Sequence, residues 1–310
     1  MRLPGRPPRE RGAAVVSALI VVAIAAALSA SLFQRQTAAV RRMENEQSRV
    51  QALALLAGGL DWARMAVREH ARREATTRND QVWATPILDT RIEQPGDERV
   101  AVFSGFLQDE QGKYNLYNLA RNGVPQPAEE KVLRRLLALL GLPDTLAPRL
   151  AEAVAEAQAP AASQGPQAAP PAAAPLPRGV DELAARLDLE PAVRAQLRRT
   201  ATLLPAQTTV NVNTAPPEVI AALVPGLSLA QARALAGERD RGNWFNNGGD
   251  FANRLAGAGV EGAAPAVTTA SGWFMATGTV VYERARLSMQ TLLRSAPPAA
   301  PEPIWTREIP

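Results

Sequence analysis

The chain has 310 residues, 46% of them hydrophobic, with a formal net charge of +4. It has no cysteine and a single histidine, His70, so disulfides, thiolate metal sites, cysteine nucleophiles, the common zinc sites and Ser-His-Asp catalysis lack their parts. The length suits two ordinary domains, and much of the positive charge sits in N-terminal arginines, where it bears on membrane topology more than on nucleic acid.

The basic start MRLPGRPPRERG leads into Ala13 to Phe33, an uncharged apolar run. As a helix it reaches about 30 Å, the thickness of a bilayer core. A secretory signal peptide has a shorter apolar region that ends before polar sequence, whereas helical sequence continues here, so a retained membrane helix is expected. Arg2, Arg6, Arg9 and Arg11 against Glu10 place the short arm in the cytoplasm and everything from about Arg35 outside it.

The order Arg11-Gly12-Ala13, a basic leader ending in Gly before the hydrophobic segment, resembles the cleavage site of type IV prepilins and type II secretion pseudopilins. That resemblance implies cleavage after Gly12 by a prepilin peptidase, with Ala13 as the first mature residue. Most of that family carry Glu at the fifth mature position, where this chain has Ser17. The departure is characteristic of K-type minor pseudopilins of the general secretion pathway and implies a subunit at the tip, with no neighbour's amine to meet. A bilayer with no carboxylate left unpaired is the physically cheaper arrangement.

From Gln34 to about Arg73 the helix is expected to continue, with Val40, Met43, Val50, Leu53, Ala57, Leu60 and Met65 as its apolar stripe. Gly58-Gly59 reads as a kink or a close packing contact, and His70 in REHARRE as a solvated helix residue. Thr76 to Asp97 reads as an irregular connection. Arg99 to Leu107 alternates as a strand, Gln108 to Lys113 makes a turn, and Tyr114 to Leu119 follows as further sheet. FLQDEQGKYNLYNL resembles a K-type signature leading into an inserted helical domain. Asp109 and Glu110, with Asp250 further on, are weak candidates for calcium, which takes several oxygen ligands. Proteins of this type bind calcium, although no EF-hand-like spacing occurs here.

Helices are expected over 128–157, with Asp144 able to cap the second, and again from Asp181 to Arg199. Between them, residues 158–178 form Pro/Ala-rich sequence with too little apolar bulk to fold, expected as a mobile loop. Val210 to Leu255 reads as a helix-hairpin-helix: Thr214 as N-cap, a first helix through Val224, the turn Pro225-Gly226-Leu227-Ser228, and a second helix from Leu229 to Arg239. Such hairpins occur in DNA-binding proteins and in K-type pseudopilins. Arg233, Arg239 and Arg241 would supply the phosphate contacts of the first use, although Ser228 replaces a glycine of the DNA-binding pattern. Trp273 to Tyr282 and Ala285 to Leu293 read as paired strands that also resemble the K family's terminal strands, and Ile304-Trp305 as a short edge segment in a Pro-rich tail.

The expected fold is α+β: a long transmembrane and amphipathic N-terminal helix packed on a small antiparallel sheet (the pseudopilin fold), with a large inserted all-helical domain containing the hairpin. The expected divisions are a leader (1–12), transmembrane helix (13–33), amphipathic helix (34–73), first part of the sheet (74–124), helical insert (125–267), C-terminal strands (268–295) and tail (296–310). The resemblance implies a minor pseudopilin at the pseudopilus tip, single-pass in the inner membrane with the bulk of the chain periplasmic, serving export of folded proteins across the outer membrane. Its implied partners are I- and J-type minor pseudopilins, the major pseudopilin, prepilin peptidase, the inner-membrane secretion platform and membrane lipid. No cofactor is required, and calcium is the one candidate. The alternatives are a membrane-anchored DNA-uptake receptor and an enzyme acting on peptidoglycan, for which no convergent nucleophile and base can be named.

Overall fold

A computed structural model describes residues 13–93, 99–160, 171–260, 262 and 264–309. The leader, including Gly12, and residues 161–170 of the Pro/Ala-rich stretch lie outside the described residues.

One helix, α1 (Ala13–Arg73), forms the spine of the fold. No proline interrupts it, and Ala, Leu and Arg, all strong helix formers, dominate its sequence. The leading part of its first half is apolar all round and exposed, from Val15 and Val16 to Leu32 and Phe33, as expected of a helix whose solvent is not water. Its second half packs on a five-stranded antiparallel sheet: β1 (Ile87–Glu93), β2 (Val100–Asp109), β3 (Trp273–Tyr282), β4 (Ala285–Arg294) and β5 (Glu302–Ile309), in the spatial order β1-β2-β3-β4-β5.

The helix face that meets the sheet differs from the expected stripe. Ala52, Leu56, Ala63 and Val67 are buried, while Val40, Met43, Val50, Leu53 and Met65 are exposed. Close approach of helix and sheet selects small residues, and this shifts the contact line off the larger side chains. Gly59 settles its own two readings: α1 runs through it unbroken, and a Cβ there would sit 2.5 Å from the Phe103 ring. Leu56, Phe103, Val280 and Tyr282 fill the lower part of the interface, and Val67, Trp83, Leu107, Phe274 and Leu293 the upper part.

The sheet departs from expectation at both edges. Ile87–Glu93 pairs with β2, although Leu88 to Arg91 are all exposed and it reads as connection. The tail supplies a full strand, β5, where only a short segment was expected. Conversely, the sheet ends at Asp109; Tyr114–Asn115 pairs in parallel with Ala201–Thr202, and Leu116–Leu119 forms a 3-10 turn. His70 is half-buried, its ring 5.9 Å from that of Trp83 and its Nε2 3.2 Å from the Thr77 hydroxyl, so it is not a solvated residue. Loss of water lowers its pKa.

Residues 110–272, between β2 and β3, form the insert. Its helices are α2 (Pro127–Leu139), α3 (Leu146–Glu156), α4 (Val180–Arg186), α5 (Pro191–Thr200), α6 (Pro217–Leu223), α7 (Leu229–Asp240) and α8 (Gly248–Gly257). Leu133, Leu136, Leu150, Leu197, Ile220, Phe245 and Phe251 anchor a core separate from that of the sheet. The helical run from Asp181 is broken in two, with Asp188 in the left-handed region and Pro191 opening α5. Asp144 is not a cap: α3 has no side-chain cap, and Asp144 lies 3.5 Å from Arg134. The insert is not wholly helical, since two-residue pairings such as Val210–Asn211 with Val267–Thr268 tie its ends.

Gly58 and Gly59 give a direct check of the interface, because a Cβ at exposed Gly58 meets nothing. Gly59→Ala is expected to destabilise by roughly 1–3 kcal/mol through overpacking against Phe103. Gly58→Ala is expected to stabilise by up to about 1 kcal/mol. Urea unfolding of the detergent-purified chain measures both.

Candidate functional site

Two features of the fold bear on function: the bare apolar half of α1 and a buried junction at its far end. Among the described residues, α1 holds the one segment long and apolar enough to cross a membrane, with none of its most apolar window buried against the rest of the chain. Ser17 lies on this exposed segment.

The junction is built around Asp109, the last residue of β2, which is fully buried. One carboxylate oxygen accepts from the Gln111 backbone N–H at 2.8 Å. The other accepts from the Thr214 hydroxyl at 2.6 Å, the Ser271 hydroxyl at 2.6 Å and the Asn211 amide at 2.9 Å. The Asn211 amide also donates to the Thr77 carbonyl, at 3.0 Å, and the Thr77 N–H donates to the Thr269 carbonyl at 2.8 Å. A single carboxylate thus joins the start of the insert, the segment before α6 and the return to the sheet, and Asn211 links them to the loop after α1. Thr214 is spent on this contact, and α6 begins at Pro217 with Pro216 as its N-cap, so Thr214 is not the cap that the sequence suggests.

Asparagines carry the neighbouring contacts. Asn213 exchanges two hydrogen bonds with the backbone of Phe245, each 2.8 Å. Asn115 donates to the Ala206 carbonyl at 2.8 Å and accepts from the Leu204 N–H at 3.1 Å. Side-chain amides here substitute for backbone partners that irregular segments lack. Sequence reading missed these amides; for Asn211 and Asn213 the signal was present in V-N-V-N, where strand-like sequence places Asn at positions without solvent.

The calcium candidates do not assemble. Asp109 is saturated by donors. Glu110 is held by Lys113 Nζ at 2.8 Å and by the Thr202 hydroxyl at 2.6 Å. Asp250 lies elsewhere, paired with Arg254 at 3.0 Å and accepting from Asn246, and the Arg254 bond lowers its pKa. A carboxylate ringed by N–H and O–H donors or by a guanidinium presents no lone-pair cage, so these residues do not fit a calcium ion. Among the described residues, no group of three or more His, Cys, Asp or Glu is placed to hold a metal.

The hairpin is present as α6, a turn and α7, with Ser228 forming a capping box with Gln231. Arg239 does not face solvent: it is buried and donates to the carbonyls of Val212 and Ala215 at 2.9 and 2.7 Å. It is a brace for the approach to α6, which removes it from any phosphate-contacting surface. Arg233 is exposed and 4.0 Å from Glu218.

Removing the central acceptor tests the junction. Asp109→Asn keeps the shape but turns an NH2 toward surrounding donors, with an expected loss of roughly 2–4 kcal/mol; Ser271→Ala is expected to cost about 1 kcal/mol. Burial raises the pKa of Asp109, against which its four donors act only in part. A raised folded-state pKa means the folded chain holds the proton more tightly. The associated stability is present below the ordinary carboxylate value and fades as pH rises through the folded-state value. On acidification from neutral pH, the wild type is therefore expected to gain on Asp109→Asn, as read by chemical unfolding at a series of pH values.

With this geometry in place, comparison with known proteins is informative. Two family models described as type II secretion system (T2SS), protein K match residues 112–206 and 210–271. A type II secretion system protein K from Pseudomonas aeruginosa is 29% identical over 303 residues, covering 92% of this chain and 89% of that protein. The same fold is found in the crystal structure of the GspK-GspI-GspJ complex from the enterotoxigenic Escherichia coli type 2 secretion system. That likeness has a TM-score of 0.69 at 20% identity, over 87% of this chain and 99% of the matched one. The family models span the insert and its return through Asn211, Thr214 and Ser271, three of the residues that build the junction, and begin just after Asp109 and Gln111. The chain belongs to the protein K family of type II secretion systems, a minor pseudopilin of the K type.

Proposed function

We propose that this chain caps the tip of the pseudopilus and serves export of folded proteins across the outer membrane, in a structural rather than a catalytic role. The observation that carries this reading is the polarity of the fold. Ser48, nearer the apolar half of α1, donates to Glu283 in the β3–β4 turn at 2.7 Å, whereas the insert leaves the sheet at Asp109 and Ser271, beside Thr77. The helical bulk therefore sits at the end of the sheet farthest from the apolar segment. A filament that grows by adding subunits at the membrane carries its first subunit outermost, and a bulky distal domain on that subunit obstructs nothing below it.

Ser17 fits the same position, since an outermost subunit has no neighbour above whose amine a Glu would pair with. Cleavage after Gly12, a cytoplasmic N-terminus and a periplasmic body complete the topology. I- and J-type minor pseudopilins are the immediate partners, in keeping with the complex of the structural relative. The major pseudopilin, prepilin peptidase, secretion platform and lipid belong to the same setting. DNA uptake draws no support from the hairpin, where Arg239 is internal.

Co-expression with tagged I- and J-type minor pseudopilins from the same system tests the assignment. Both are expected to co-purify with the full chain. Replacing residues 110–272 by a short linker is expected to leave the anchor in the membrane and to abolish secretion. Failure of both partners to co-purify, with secretion intact in cells lacking this chain, would overturn the reading.

A further inference from the structure

Where the insert meets the outer face of the sheet, a polar cavity of about 150 Å³ opens between β2, α4–α5 and the edge strand β5. Its charges do not balance. Lys113, Arg178, Arg198 and Arg307 line it against two carboxylates, Glu110 and Asp181. Both carboxylates are engaged. Glu110 is held by Lys113 and Thr202, and Asp181 is shared between Arg198 Nε and an Arg307 terminal nitrogen, each at 3.2 Å.

Arg307 is also fixed in place. Its Nε and one terminal nitrogen donate to Gln290 Oε1 at 3.2 and 2.9 Å, and its guanidinium lies 5.2 Å from the centre of the Trp305 ring. These bonds use part of each guanidinium's five-donor fork, and the remaining donors of Arg198 and Arg307 are not used in them. A planar fork held by its neighbours suits oxyanions, because little freedom is lost when one binds. The walls come from folded protein on several sides, which strengthens the field of the excess charge inside a cleft. The space holds a few waters at about 30 Å³ each, enough for a carboxylate or a tetrahedral oxyanion.

We propose that this cleft binds an oxyanion, gripped by Arg178, Arg198 and Arg307 above the Lys113–Glu110 pair. A free inorganic anion and an acidic side chain of a bound peptide share this chemistry. The site stands apart from the apolar half of α1, Gln108 and Glu110 on either side of Asp109 belong to its lining, and the proposal does not depend on the tip assignment.

Calorimetric titration of the full chain in neutral detergent, at low salt, tests it with two probes, inorganic phosphate and a tetraglutamate peptide. Saturable binding of at least one probe is expected, and which one binds identifies the source of the anion. Arg178 is exposed and its side chain is not part of the ion pairs that seat β5, so Arg178→Gln is the variant that keeps the fold. It is expected to weaken binding by three- to tenfold, and Arg307→Gln by more than tenfold, with a melting curve for each variant as control. No saturable binding of either probe overturns the proposal, as does binding that Arg178→Gln leaves unchanged.

Discussion

A buried carboxylate with four donors holds this molecule together. Asp109 sits where β2 ends and the insert begins, and its partners Gln111, Asn211, Thr214 and Ser271 come from the outgoing chain, the approach to α6 and the returning chain. Burying such a group costs several kcal/mol unless its lone pairs are filled, and here they are filled by segments that also pair through short backbone ladders. The junction thereby converts an insertion within a hairpin-like sheet into a fixed appendage. Asn211 extends the same network to Thr77, so the end of α1 is locked to both.

The consequence is mechanical continuity. From the exposed apolar half of α1 the helix runs without a break to Arg73, gripped along its second half by Phe103, Leu107, Phe274 and Val280. The loop beyond it is bonded to the insert through Thr77, and its Trp83 packs edge-on against Phe274 of β3. Displacement of the helix along its axis would be passed to the helical insert with little slack. In the tip role proposed above, this coupling would hold the helical insert in a fixed position relative to the anchor.

Much of this was legible in the sequence, for definable reasons. The apolar run, the uninterrupted helical continuation, the Trp273–Leu293 hairpin and the α6–turn–α7 unit follow from periodicity and from the Pro-Gly turn signal. What stayed hidden depended on partners distant in sequence. Ile87–Glu93 is an edge strand that leaves four successive residues, Leu88 to Arg91, exposed, so it lacks clean alternation and pairing with β2 defines it. The sheet-facing line of α1 was misplaced because Gly59 and Ala63 beat bulkier residues where backbones come close. Thr214 and Arg239 look like a cap and a surface charge in isolation; Asp109 and two carbonyls recruit them inward. Asp109 and Glu110, legible as oxygen ligands, are acceptors in a protein network.

The most direct measurement is mass spectrometry of the chain extracted from membranes of cells with and without prepilin peptidase. If the chain is a processed pseudopilin whose helix α1 begins the mature protein, its N-terminus should be Ala13 when the peptidase is present, with residues 1–12 retained when it is absent. Retention of residues 1–12 in both strains would contradict it.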